Sequence, residues 1–546
     1  MKRFFYTFII LTIAISNIFA TNEVIKLTWP DDFKNASQYV GKTIELNQTL
    51  YVTNTGNWNK YGEITLSSKR LMSPTEVTLP GSAKYRNIVA ENEFDQLILS
   101  DGSNKQYPNP RPWTADKDYI RTGAYTNKVL GVFTIESYKD MKYGYTITPI
   151  EKPVFEGNER PTKVTELGDY DIKVCGFNLQ IYIATEWDGD YGPASAAEAE
   201  KQHAKIVKAL AAIDADVFGL VEVQQGQVAL EKLANALNAL DPSAQYEYIN
   251  DGTQVYGTYT KAGYLYKASK VKPIRQLQSN DTGVKHRKKA QGFEVLATGA
   301  RFIYMINHFK AKSGKGSGDN ADKGDGQSTY NGDRVREATA VVTFAKSCAS
   351  YFGDEDVLIM GDLNAYSLED PIRIFTDANY TNLIKKFEGD EGYSYSYRGT
   401  VGCLDHALAN KTIENQVTGC EVFHINADEA SVFGYDGYSY QNNMYRSSDH
   451  DPVVVGLKLN ISTPTESINM NDNRIVYGGN GIIGIAAAED YKIDIYSITG
   501  QLIYTDKINT NDYTISTSEL NLKNGIYIIK LSNENNSIVE KLKIKK

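Results

Sequence analysis

Long hydrophobic runs are absent from this chain after its first 20 residues, which argues against a body built of membrane-spanning helices. Cysteine is scarce as well, with four residues and no C-x-x-C pair, so a structural zinc site is not expected. Positive charge is in deficit, since the net charge is -9 and the isoelectric point is about 5.4. An acidic protein does not bind polyanions over its whole surface, so any nucleic-acid contact must be local.

The composition is that of a globular protein, with 41% hydrophobic and 23% charged residues, and 546 residues predict about three or four domains. Residues 1–20 are typical of a signal peptide: Lys2 and Arg3 precede an apolar stretch, and Ala20 offers a small residue for cleavage. The alternatives, a buried strand or a membrane anchor, suit this short stretch less well. Export permits disulfides, and four cysteines allow three pairings. Cys403 and Cys420 flank an expected hairpin and are the predicted pair.

Four regions follow the signal peptide. Residues 24–155 show short alternating strands between Gly, Pro and Asn clusters and no long amphipathic helix, which predicts a small all-β domain. In residues 168–459 strands alternate with helices, at about 194–213 and 227–240, which predicts a layered α/β domain. Residues 460–476 form a polar linker, and residues 477–546 predict a small β-sandwich.

Polar residues stand at or near the ends of hydrophobic strands in the α/β domain, where such folds gather their sites. Five segments share this property: 176–178, 219–223, 306–309, 360–364 and 448–452. Together they supply two histidines, four carboxylates and three amides. Each one alone suits a structural role, such as a turn cap or a core histidine. All five in one domain favour phosphodiester hydrolysis with a hard cation, because oxygen ligands bind Mg²⁺ and imidazoles transfer protons.

On these residues the domain resembles the endonuclease/exonuclease/phosphatase family, over about residues 171–459. The most specific motifs are Gly361-Asp362-Leu363-Asn364 and Ser448-Asp449-His450. The resemblance implies a four-layer α/β sandwich, in which two packed mixed sheets are flanked by helices. It also implies a metal-dependent endonuclease with Mg²⁺ as cofactor, or else Mn²⁺ or Ca²⁺.

The resemblance assigns roles residue by residue. Asn178, Glu222 and Asp449 lie beside the metal, with Glu222 as the principal ligand. His308 contacts phosphate or donates a proton, and Asp362 with Asn364 positions the attacking water. Asp405 orients His450, which meets the scissile phosphate.

Finer features resemble one branch of the family, the large secreted bacterial nucleases. They include Gly324-Asp325-Gly326-Gln327, and they imply a substrate-binding set of Arg287, Asn331 and Arg334. The sequence departs from this branch where Arg287-Lys288-Lys289-Ala290 replaces Arg-Pro-Pro-Leu, and where Leu179-Gln180-Ile181 replaces Val-Leu-Asn. The N-terminal β region resembles an OB-like domain. Single-strand binding and a packing role are both open for it.

The last region, 477–546, resembles the C-terminal sorting domain of the type IX secretion system, through Asn524-Gly525-Ile526-Tyr527 and a Lys-rich final strand. The alternative is a small adhesive or carbohydrate-binding sandwich. The resemblance implies a secreted or cell-surface protein that meets the type IX machinery, and we expect a monomer. The leading hypothesis is a nuclease that cuts extracellular DNA, with RNA as a further substrate, with little sequence preference. The alternatives are a phosphodiesterase or phosphatase acting on lipid or nucleotide, and a non-catalytic module that binds DNA.

Overall fold

A computed structural model describes residues 23–544 except 104, 115–116, 140, 188–190, 253–259, 281–286, 461–474, 480–481, 487–490, 509–511, 524 and 534–536. The predicted signal peptide at 1–20 and almost all of the predicted linker at 460–476 lie outside the described residues. Among the residues that are described, helices that combine the length and the apolar character needed to cross a bilayer are not found.

The N-terminal region is rich in short strands, as its alternating pattern predicts. Its strands are β1 (Ile25–Leu27), β2 (Thr43–Leu46), β3 (Leu50–Asn54), β4 (Ile64–Ser67), β5 (Leu71–Met72), β6 (Leu97–Leu99), β7 (Tyr125–Thr126), β8 (Val129–Ile135) and β9 (Tyr145–Pro149). All except β5 form one eight-stranded sheet in the order β1-β2-β8-β9-β6-β4-β3-β7. Trp29, Phe33 and Trp58 fill its core. The OB-like assignment stays a prediction.

Helices also occur in this region, but none of them is a long amphipathic helix. They are α1 (Trp58–Tyr61), α2 (Pro74–Val77) and α3 (Ala83–Phe94), beside a 3-10 segment at Asp31–Tyr39. Helix α3 begins after Ser82, whose Oγ accepts a hydrogen bond from the amide of Tyr85 at 3.1 Å. Asn92 is its only buried residue. Helix α3 therefore has no buried apolar stripe. Its sequence lacks the apolar periodicity from which amphipathic helices are predicted.

The central region has the predicted α/β architecture. Its strands are β10 (Ile172–Tyr182), β11 (Val217–Gln224), β12 (Tyr246–Tyr248), β13 (Thr260–Lys267), β14 (Val271–Ser279), β15 (Lys288–Val295), β16 (Arg301–His308), β17 (Val357–Asp362), β18 (Thr381–Asn382), β19 (Tyr395–Tyr397), β20 (Thr400–Gly402), β21 (Asp405–Ala409), β22 (Val417–Val422) and β23 (Val453–Leu457). Its helices are α4 (Ala196–Ile213), α5 (Val228–Leu240), α6 (Asn331–Phe352), α7 (Asp370–Asp377), α8 (Leu383–Glu388) and α9 (Lys411–Glu414). Helices α4 and α5 confirm the two predicted from the sequence.

Two mixed six-stranded sheets pack face to face in this region. Their orders are β12-β13-β11-β10-β23-β22 and β14-β15-β16-β17-β21-β18. Side chains from both sheets, such as Val174, Tyr304 and Met360, share one buried core. Helices α4 and α5 cover the outer face of the first sheet, and α6 and α7 cover that of the second. The predicted four-layer sandwich is therefore confirmed.

The C-terminal region is a small β-sandwich, as predicted. It contains β24 (Ile475–Gly479), β25 (Ile482–Ala486), β26 (Lys492–Ser497), β27 (Leu502–Lys507), β28 (Asp512–Ser516), β29 (Gly525–Ser532) and β30 (Ser537–Ile544). A three-stranded sheet, β24-β25-β28, and a four-stranded sheet, β27-β26-β29-β30, enclose Ile483, Ile495 and Ile529.

The predicted disulfide between Cys403 and Cys420 is wrong. All four cysteines are free and buried. Cys403 lies between β20 and β21, whereas Cys420 is on β22, in the opposite sheet of the sandwich, so the two do not flank one hairpin. The Cys403 thiol instead donates to the carbonyl oxygen of Gly392 at 3.2 Å.

Candidate active site

Two bulges shape the ends of the parallel strands β10 and β11. Pairing of β10 with β11 shifts register after Asn178, and pairing of β11 with β13 shifts after Leu220. Gln180, Ile181 and Glu222 adopt positive φ angles of 51°, 54° and 60°. Non-glycine residues with such backbones are uncommon and collect at functional sites, and bulges re-aim side chains.

The two bulges are joined through the Glu222 carboxylate. Glu222 Oε2 accepts a hydrogen bond from the amide of Ile181 at 2.8 Å. Asn178 Oδ1 accepts one from the amide of Gln180 at 2.9 Å. The irregular backbone therefore holds both side chains at one rim of the first sheet.

The parallel strands β16 and β17 end side by side in the second sheet, where His308 pairs in register with Asp362. Gly361 precedes Asp362 with φ of 125°, and a Cβ added to it would lie 2.0 Å from the carbonyl oxygen of Asn307. Only glycine fits there, which explains its place in the motif. The amide of Asn364 donates to Asp362 Oδ1 at 2.9 Å in an Asx turn that fixes the carboxylate.

The rims of the two sheets meet at the Asp362 carboxylate. Asn178 Nδ2 donates to Asp362 Oδ2 at 3.1 Å. His308 Nε2 lies 3.6 Å from the same oxygen and 3.6 Å from Glu222 Oε1. His450 Nε2 lies 3.9 Å from Asp362 Oδ2. We call the residues that meet here, together with Asp405, the polar cluster: Asn178, Glu222, His308, Asp362, Asp405 and His450.

Asp405 contacts His450. Its Oδ2 accepts a 2.7 Å hydrogen bond from His450 Nδ1 and a 2.8 Å bond from Ser394 Oγ. The Tyr395 ring packs with its centroid 4.6 Å from that of the imidazole. The His450 Nε2 atom is thereby aimed at Asp362.

Burial and neighbouring charges shift the pKa values of the two histidines in opposite directions. Burial lowers the pKa of His450, but the charges of Asp405, Asp362 and Asp449 more than offset this and hold that pKa well above its ordinary value of 6.5. Burial, followed by the Arg287 charge, lowers the pKa of His308 well below 6.5. His450 is therefore protonated and His308 neutral at neutral pH.

The carboxyl groups of the polar cluster suit a cation. Burial raises the pKa of Asp362 to about 7, and burial followed by the Asp449 charge raises the pKa of Glu222. Ligand atoms of Glu222, His308 and Asp362 all lie within 4.8 Å of one another. Carboxylate oxygens that lie close together suit a hard divalent ion, so the residues present fit a divalent metal ion.

The remaining predicted residues divide into two groups. Asp449 is half-buried beside Glu222, and the half-buried Arg287 accepts a hydrogen bond from the amide of His308 through its carbonyl oxygen at 3.0 Å. Both lie at the polar cluster.

Arg334 and Asn331 are placed differently. Arg334 is wholly buried and donates to the carbonyl oxygens of residues 310, 327 and 329, while Asn331 Nδ2 donates to Asp370 Oδ2 at 3.0 Å. The structure therefore gives these two residues loop-holding roles in place of the predicted substrate contacts.

Three supporting residues escaped the sequence reasoning. Ser394 Oγ, besides donating to Asp405, accepts from the amides of Leu404 and Asp405 at 3.1 and 3.0 Å. Ser448 Oγ donates to the carbonyl oxygen of Asn178 at 2.7 Å. Glu76, from the N-terminal region, bonds to loops of the central region. Ser448 stands in a motif that could have revealed it, whereas Ser394 and Glu76 carry no local signal.

Comparison with known protein families matches two regions of the chain. A model described as "Endonuclease/Exonuclease/phosphatase family" matches residues 175–450, and one described as "Secretion system C-terminal sorting domain" matches residues 479–545. The second match confirms the predicted type IX sorting domain and a secreted or cell-surface location. No curated protein matches the chain.

Several solved structures are similar to about half of the chain. An endonuclease/exonuclease/phosphatase family protein from Bacteroides thetaiotaomicron is 18% identical over 52% of this chain and 97% of its own, with a TM-score of 0.37. The human Nocturnin catalytic domain with bound sulfate is 15% identical over 53% and 94%, with a TM-score of 0.36. A mannosyl-6-phosphatase from Bacteroides thetaiotaomicron is 17% identical over 52% and 99%, with a TM-score of 0.36.

Proposed function

Because the chain belongs to the endonuclease/exonuclease/phosphatase family and is thus a phosphoester hydrolase, we propose that it is a secreted, metal-dependent endonuclease. Its substrate is extracellular DNA, with RNA as a second polynucleotide, cut with little sequence preference. One observation carries the proposal: His450, held by Asp405, faces Asp362 across a site that also contains Glu222 and His308.

The cluster residues can perform hydrolysis in defined roles. Asp362, with a pKa of about 7, is suited to take a proton from the attacking water, since a general base works best near the operating pH. Asn364 keeps that carboxylate in place. His450 presents Nε2–H to the scissile phosphate. The neutral His308 contacts a phosphate oxygen or donates a proton to the leaving oxygen. Arg287 supplies positive charge beside them, as a local contact for an otherwise acidic protein.

The metal role falls mainly to residues at the rim of the first sheet. Glu222 would be the principal ligand, with Asn178 and Asp449 beside it. A divalent ion, when bound, neutralises phosphate charge. The two bulges hold Glu222 and Asn178 in place without a ligand, so little reorganisation is needed on binding.

Digestion of circular plasmid DNA in Mg²⁺ tests the proposal, because a circular substrate has no ends and its loss requires internal cutting. We expect Glu222→Gln and His450→Gln to lower the rate by roughly a hundredfold or more. Matched controls are Glu231→Gln, on the exposed face of α5, and His203→Gln, on α4, which should leave the rate unchanged.

Other substrates separate the alternatives. Single-stranded DNA, RNA, sphingomyelin and p-nitrophenyl phosphate are assayed beside the plasmid. Hydrolysis of the lipid or the monoester with no polynucleotide cleavage would refute the nuclease assignment. Retention of DNA without cleavage in excess Mg²⁺ would show a binding module instead.

A further inference from the structure

A short segment of the N-terminal region is built into the central region. Strand β5 pairs in parallel with β20, with Leu71 opposite Thr400 and Met72 opposite Val401. The amide of Ser73 then donates to the carbonyl oxygen of Val401 at 2.8 Å. Residues 71–76, which we call the inserted segment, therefore add β5 to the small sheet formed by β19 and β20 and continue into α2.

The inserted segment ends in a buried carboxylate. Glu76 is wholly buried, and its Oε2 accepts hydrogen bonds from the amides of Ser367 at 3.1 Å and Cys403 at 3.0 Å. Its Oε1 lies 3.3 Å from the ammonium nitrogen of Lys385. A buried charge is tolerated when it is paired and hydrogen-bonded in this way, and the loss of one partner is costly.

The two amides belong to different loops of the polar cluster. Ser367 follows Asp362 in the loop after β17, and Cys403 is separated from Asp405 only by Leu404. One carboxylate oxygen of Glu76 thus holds these two loops together. The aspartates of the two loops flank His450: Asp362 Oδ2 lies 3.9 Å from His450 Nε2, and Asp405 Oδ2 lies 2.7 Å from His450 Nδ1.

A neighbouring residue strengthens one of these attachments. Thr75 Oγ1 donates to Glu369 Oε1 at 2.8 Å, and the carbonyl oxygen of Thr75 accepts from the amide of Leu368 at 3.1 Å. Both partners continue the chain that bears Asp362. The inserted segment therefore contacts the loop after β17 at three consecutive residues, Ser367, Leu368 and Glu369.

From this geometry we infer that Glu76 is a positioning residue for the reaction, and that the N-terminal region completes the active site. The inference rests on the proposed function. Glu76 sets the spacing of Asp362 and Asp405 about His450 without touching substrate. A carboxylate is required at this position. The amide hydrogens of a Gln side chain would point either at the two main-chain amides or at the Lys385 ammonium. Both orientations place one hydrogen-bond donor against another.

The test uses the full chain with Glu76→Gln. The control is Thr122→Val, which removes a buried 2.7 Å bond from Thr122 Oγ1 to Asp428 Oδ1 between the same two regions, at a point where neither residue bonds to the polar cluster. With bis(p-nitrophenyl) phosphate as substrate, we expect kcat of the Glu76 variant to fall roughly ten- to a hundredfold, because small misplacements of reacting groups cost about that much. KM should stay within about twofold, and the control should keep kcat.

Hydrogen exchange measured by mass spectrometry gives a readout without activity. We expect Glu76→Gln, but not Thr122→Val, to speed amide exchange in both loops, at residues 362–368 and 402–406. Equal kcat in the two variants, or unchanged exchange in both loops, would overturn the inference. If the wild type hydrolyses no phosphodiester, the proposed function fails, and exchange alone decides the role of Glu76. If Glu76→Gln does not fold, Glu76→Asp, which keeps the charge but shortens its reach, is measured with the same expectations.

Discussion

Replacing Asp405 with Asn removes the charge that orients His450 while keeping the shape of the side chain. Asp405 Oδ2 accepts the bond from His450 Nδ1 at 2.7 Å, and hydrogen bonds to charged groups contribute about 1.5–3 kcal/mol. At about 1.4 kcal/mol per tenfold change in rate, kcat should fall between about tenfold and about 150-fold. Ser394→Ala, which removes a neutral donor to the same oxygen, should cost less, about fivefold.

The pH dependence of the Asp405→Asn deficit distinguishes orientation from general damage. Without the Asp405 charge, burial lowers the pKa of His450, so less of the histidine is protonated as the pH rises. The ratio of variant to wild-type kcat should therefore fall with increasing pH between pH 5 and 9. Plasmid-cleavage assays at each pH measure this ratio, with the melting temperatures of the variant and the wild type shown to be equal. A variant within twofold of wild type at every pH would show that Asp405 does not control His450.

Two further predictions concern stability and redox state. Burial lowers the pKa of His203 to about 4, whereas in the unfolded chain its pKa is near 6.5. This residue therefore lowers the free energy of unfolding as the pH falls from about 6.5 to about 4. In urea unfolding, His203→Gln should lose less free energy of unfolding over that range than wild type, and an equal loss would contradict the assignment. Because all four cysteines are free and buried, thiol titration without reductant should find four thiols in denaturant and almost none in the native protein. Two thiols in denaturant would show a disulfide.

Much of the candidate site could be predicted from the sequence, because its residues follow buried strands directly. Asp362 ends β17 and His308 ends β16, so the parallel pairing of two hydrophobic strands brings them together. The glycine before Asp362 marks a backbone that no other residue adopts easily. Sequence reasoning succeeds where neighbouring strand ends place the groups.

The rest depends on interactions that leave no local trace. Glu222 owes its direction to a bulge whose positive-φ residues include no glycine. Glu76 reaches the site from another region of the chain, and Arg334 looks like a phosphate ligand until its burial is known. Cys403 and Cys420 are close in sequence, but Cys403 lies just before β21 and Cys420 is on β22, and these two strands belong to opposite sheets. In each case tertiary packing decides the outcome.

The most direct measurement is an anomalous-difference map from crystals soaked in Mn²⁺. We expect one peak in contact with the Glu222 carboxylate, within the space bounded by Asp362, His308 and His450. A peak held by other residues, or no peak at saturating Mn²⁺ while DNA is still cleaved, would contradict the proposal that these four side chains form one metal-dependent active site.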